Sequence, residues 1–94
     1  MNPLSVLIFE DDEGQALLTK EALEKEGFVV EIVRTGQEGL ERVLTTDHDV
    51  YLIDMKLPDT QGIDVLRRLQ AIKPEAVSII VTGHGDEVAA VEAM

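Results

Sequence analysis

The chain is 94 residues long, which bounds it to a single domain. Its 19 Asp and Glu against 8 Lys and Arg give a formal charge of −11, which argues against unaided binding to DNA or RNA, because that affinity comes largely from basic groups. Hydrophobic residues make up 45%, too many for an acidic disordered tail, and the lack of cysteine excludes disulfides, thiolate metal sites and cysteine nucleophiles. No run approaches the roughly 18 apolar residues that span a bilayer, and Met1-Asn2-Pro3-Leu4 lacks the features of a signal peptide. The reading is of a cytoplasmic protein with an aliphatic core.

Runs rich in branched aliphatics predict strands at Ser5–Phe9, 28–33, 50–53 and 77–81. The first, third and fourth are apolar throughout, as strands covered on both faces of a parallel sheet are. The second carries Glu31 and is followed by Arg34, which suits an edge. Leu17, Leu18, Ala22 and Leu23 have helical spacing, as do Leu40, Val43 and Leu44, and then Val65, Leu66, Leu69 and Ile72. Gly27 and Pro74 stop the first and third of these helices, and Thr35-Gly36 and Asp59-Thr60-Gln61-Gly62 open the second and third. Val88, Ala89, Val91 and Met94 predict the start of a further helix over 87–94, which leaves the fourth strand as an uncovered edge.

Strands alternating with helices predict an α/β fold, a doubly wound parallel sheet with helices on both faces. In such sheets ligands sit outside the carboxyl ends of the strands. Here those ends are polar: Glu10-Asp11-Asp12-Glu13 after the first strand, Asp54 after the third, Thr82-Gly83 after the fourth. Three carboxylates and a hydroxyl are therefore expected in one crevice, with Asp12 and Glu13 serving the helix N-terminus. Crowded carboxylates repel, and a hard divalent cation such as Mg2+ relieves them with all-oxygen ligation. An Asp beside such an ion is suited to attack a phosphoryl group.

Three fragments carry a resemblance: Val6-Leu7-Ile8-Phe9-Glu10-Asp11-Asp12, then Tyr51-Leu52-Ile53-Asp54-Met55-Lys56-Leu57-Pro58 with Gly62, then Ile79-Ile80-Val81-Thr82-Gly83. In this order and spacing the sequence resembles the receiver domain of two-component response regulators, the CheY-like family. The resemblance implies a flavodoxin-like three-layer αβα fold with strand order 2-1-3-4. It implies that Asp54 is the phosphoacceptor, that Glu10, Asp11, Asp54 and the backbone carbonyl of Lys56 bind Mg2+, and that Thr82 binds the phosphoryl group and switches. Partners follow in the same way: a sensor histidine kinase, and a downstream effector domain or protein that controls an output such as transcription. Neither direct nucleic-acid binding nor a membrane is expected, and the domain would catalyse only its own phosphorylation and dephosphorylation. The loop Thr82-Gly83-His84-Gly85-Asp86 resembles receivers attached to transcriptional activators.

Lys56, Gly83 and His84 are read as bordering the site and tuning the acyl phosphate, with Pro58 and Gly62 as structural support. His48, beside Asp47 and Asp49, reads as surface, and Arg67, Arg68 and Lys73 read as a small solvated basic patch. The family's fifth strand, with its lysine, and its fifth helix are missing, so 1–94 reads as a receiver domain incomplete at its C-terminus. An uncovered edge leaves a homodimer open. The alternative is a metal-binding or protein-interaction domain that has lost the switch.

Overall fold

The structure is a computed structural model that describes residues 2–81 in full and only the backbone of Thr82 and of Ala89–Ala93. Four parallel strands, β1 (Ser5–Phe9), β2 (Val29–Val33), β3 (Val50–Asp54) and β4 (Val77–Thr82), alternate with helices α1 (Glu13–Lys25), α2 (Gly36–Thr45) and α3 (Gly62–Ile72). The order across the sheet is 2-1-3-4, as the sequence leads one to expect, and β2 is an edge.

The period-two alternation of each strand splits the core into two layers. Leu7 and Phe9 of β1, Val33 of β2, Tyr51 and Ile53 of β3 and Ile80 of β4 face α2 and α3, where Val43, Val65, Leu66 and Leu69 meet them. The other face carries Val6, Ile8 and Val30, packed with Leu23 of α1 and with Ile32, Val50 and Leu52. Helices lie on both faces, which gives the αβα layering.

Local chemistry sets the helix ends. Asp12 caps α1 by accepting from the Gln15 amide at 3.0 Å, and Thr35 caps α2 through the Glu38 amide at 3.0 Å. Gly27, just past α1, has φ of 92°, a left-handed conformation that a β-carbon disfavours.

Three expectations are corrected. Ala89–Ala93 is a strand, β5, antiparallel to β4, with Thr82 opposite Ala89 and Ser78 opposite Ala93. The open N–H and C=O row along β4 offers this segment backbone partners. The β4 edge expected to be bare is therefore covered. His48 is not surface: its side chain is only 6% exposed and its Nε2 lies 3.0 Å from Glu31. Arg42 reaches both oxygens of the same carboxylate, at 2.7 and 3.0 Å, and holds Glu31 below the ordinary carboxylate range; burial opposes this and His48 adds to it. Lys73 is not part of a free basic patch, because its Nζ donates to the Thr46 carbonyl at 2.9 Å and pairs with Asp47.

The core tolerates little added volume where α2 crosses β1. A β-carbon on Gly39 would lie 1.9 Å from the buried Phe9 ring. Gly39→Ala is predicted to destabilise the fold by about 1–3 kcal/mol in urea unfolding, whereas Gly14→Ala, on the exposed first turn of α1, costs less than ~1 kcal/mol.

Candidate functional site: a carboxylate cluster at the sheet edge

The register of β1 and β3 builds the site. Phe9 stands opposite Ile53, so the next residue of each strand, Glu10 and Asp54, emerges at the same carboxyl edge. The Glu10 amide donates to the Val33 carbonyl at 2.9 Å, which ties this residue to β2. Asp11 follows in the turn to α1, and ligand atoms of Glu10, Asp11 and Asp54 all lie within 4.8 Å of one another. These three carboxylates are brought together as expected, and they are the one such cluster among the described residues.

Glu10 feels this environment most. It shares the lining of a cavity of about 80 Å3 with Asp54 and the apolar Ile8, Phe9, Leu52 and Val81. Burial there pushes its carboxyl up from 4.5 to about 7; the Asp12 amide, donating at 3.1 Å, opposes the shift, and the charges of Asp54 and Asp11 add to it. An all-oxygen donor set with one carboxyl held partly protonated is what a hard divalent cation would relieve. The residues present fit Mg2+.

The loop after β3 is closely held. The Gly62 amide donates to the Met55 carbonyl at 2.7 Å, the Leu57 amide to the Thr60 carbonyl at 3.0 Å, and Lys56 forms a bridge with Gln61. Gly62 has no room for a side chain, because a β-carbon would lie 2.3 Å from the Asp54 carbonyl oxygen. The first turn of α3 is thus seated directly on the backbone of Asp54. Pro58 is exposed within this loop, and Lys56 is exposed two residues beyond Asp54. Val81 stands opposite Asp54, so Thr82, which ends β4, sits one residue further along the neighbouring strand. The Thr82 side chain, and Gly83 and His84 altogether, lie outside the described residues.

Asp59, read from sequence only as part of the entry to α3, accepts from the amides of Gly36 and Gln37 at 2.9 Å each. These bonds hold its carboxyl below the usual carboxylate range. No local spacing signals such a contact, since its partners lie 22 and 23 residues upstream.

Residues 6–94 match the response regulator receiver domain, and the chain belongs to that family. It is 37% identical over 83 residues to the cell cycle transcriptional regulator CtrA of Caulobacter vibrioides, a match spanning 88% of this chain but 36% of CtrA. A CheY-like receiver domain structure from Methanospirillum hungatei is similar with a TM-score of 0.84 and 36% identity, over 89% of this chain and 67% of that one. The response regulator TrrA of Thermotoga maritima, solved in complex with Mg2+-BeF, is similar with a TM-score of 0.80 and 25% identity, over 82% of this chain and 67% of that one. Among the described residues no helix is long and apolar enough to cross a membrane.

The raised Glu10 carboxyl has a consequence for stability. Between about pH 4.5 and 7 the native state keeps a proton that the unfolded chain has released, so metal-free stability falls as pH rises through that window. In chelator, wild type is predicted to lose melting temperature relative to Glu10→Gln between about pH 5 and pH 8, and Mg2+ recovers the loss at the upper end. Parallel profiles for the two proteins would contradict this.

Proposed function

We propose that the chain is the phosphoacceptor receiver domain of a two-component response regulator, taking a phosphoryl group from a sensor histidine kinase onto Asp54. The observation that carries this is the gathering of Glu10, Asp11 and Asp54, from two separate strand ends, within 4.8 Å at the carboxyl edge of a parallel sheet. A cluster that served only to cap a helix would not call for Asp54 from β3.

An Asp54 carboxylate oxygen forms the bond to phosphorus while the phosphorus–nitrogen bond of the phosphohistidine breaks, and the electron pair leaves with the imidazole. Glu10, Asp11, Asp54 and the backbone carbonyl of Lys56 would hold Mg2+, with Glu10 acting largely through a bound water. Bound there, Mg2+ supplies positive charge against the incoming phosphoryl oxygens. Thr82 binds a phosphoryl oxygen through its hydroxyl, a role supported by the place of its backbone beside Asp54. Gly62 and Pro58 keep the loop against the Asp54 backbone, and Lys56, Gly83 and His84 border the site and tune the lifetime of the acyl phosphate.

In this reading the domain is not an enzyme in the turnover sense; it works in the cytoplasm as a switch for a downstream effector, with transcription as the output. The match to CtrA, a transcriptional regulator, supports that output.

The test is intact mass after incubation with a small acyl phosphate donor. Wild type is predicted to gain one phosphoryl group when Mg2+ is present, with at least a roughly 100-fold slower gain in chelator and none in Asp54→Asn. A folded wild type that gains nothing would favour a metal-binding or interaction domain, and a gain retained by Asp54→Asn would place the acceptor elsewhere.

A further inference from the structure

The first turn of an α-helix leaves four amides without intrahelical partners. In α2 three of these, on Gly36, Gln37 and Glu38, find acceptors outside the helical ladder. Thr35 takes one of them locally, its hydroxyl accepting from Glu38 at 3.0 Å, while its carbonyl accepts the first regular helical bond, from Gly39 at 3.1 Å. The other two, Gly36 and Gln37, are taken by the two oxygens of Asp59, from the loop that follows the phosphoacceptor strand.

That loop is also in van der Waals register with the helix. A β-carbon on Gly36 would lie 2.4 Å from the Thr60 methyl and 3.0 Å from a Val65 methyl, so at Gly36 the helix lies directly against the loop and the start of α3. Within the loop, Thr60 accepts from Leu57, and Lys56 bridges to Gln61. These bonds link Asp59-Thr60 to the backbone around Lys56, two residues from Asp54. A carboxylate is favoured at this position by the partial positive charge of the helix N-terminus as well as by its two hydrogen bonds.

We propose that Asp59 is a positioning residue for the phosphorylation site: by clamping the post-β3 loop to the N-terminus of α2, it fixes the Lys56 carbonyl for Mg2+ and couples α2 to the state of Asp54. This rests on the receiver reading above. Asp59 touches neither metal nor phosphoryl group; it acts through the loop. Partners hydrogen-bonded directly to a metal ligand typically change affinity by about 10- to 100-fold when removed, and Asp59, which holds only the loop that carries one ligand, falls at the low end of that range. With one ligand of the set affected, Asp59→Ala raises the Mg2+ Kd by about tenfold. Asp59→Asn, which keeps one accepting oxygen, lies between wild type and Asp59→Ala.

Coupling is reciprocal, so Mg2+ must also steady the clamp. Amide exchange followed by NMR in wild type therefore reads the same link with no mutation. Mg2+ is expected to slow exchange at Gly36 and Gln37 severalfold and to leave Lys20 and Glu21 in α1 unchanged. A role confined to capping α2 would lower the melting temperature of Asp59→Ala without moving either readout. Wild type that binds Mg2+ while Asp59→Ala has the same Kd, or wild type whose Gly36 and Gln37 amides ignore Mg2+, overturns the inference alone. Wild type that neither binds Mg2+ nor takes a phosphoryl group overturns the receiver reading beneath it.

Discussion

The pairing of β1 with β3 is the constraint on which the rest depends. Because the two strands are parallel and central, their carboxyl ends arrive side by side, and Phe9 opposite Ile53 puts Glu10 and Asp54 in the same place. A slip of one residue in either strand would exchange the side chains that pack against α2 and α3 (Leu7, Phe9, Tyr51, Ile53) with the differently shaped ones of the other face (Val6, Ile8, Val50, Leu52), so the packing of two unlike layers holds the register that the site requires. Packing thus fixes the site's geometry, and the site gives nothing back: three carboxylates held within 4.8 Å repel each other.

That repulsion explains why the surroundings are so tightly built. Gly62 seats α3 on the Asp54 backbone, Asp59 clamps the loop to α2, and the Glu10 amide bonds to β2. Three elements other than β1 and β3 converge to keep charges in an arrangement that they would not adopt alone. The cost shows at Glu10, whose carboxyl sits near 7 because it is both walled by apolar side chains and faced by other acids. Carboxyl groups gathered and shifted in this way fit a hard divalent cation.

Much of this was legible in the sequence. Strand runs, Thr35 and Asp12 at helix starts, Gly27 at a helix stop and the acids at the strand ends follow from local pattern, because apolar period and capping chemistry act over a few residues. What pattern could not supply was long-range. Asp59 finds its partners on another helix, and His48 is buried because Glu31, 17 residues away, turns from the β2 edge to meet it. Residues 89–93 failed for a related reason: their apolar spacing suits a helix, and only the open edge of β4 selects a strand.

In the receiver reading the clustered carboxylates form a cation site rather than a charged surface. An Mg2+ titration followed residue by residue by NMR tests it most directly. A cation site gives saturable shifts confined to the amides of Glu10–Asp12 and of Asp54–Leu57, together with Gly36 and Gln37 across the clamp, reaching one Mg2+ per chain. Shifts that never saturate, or that spread evenly over the exposed acids of α1 such as Glu21 and Glu24, would mean that the cluster is only surface charge and would contradict it.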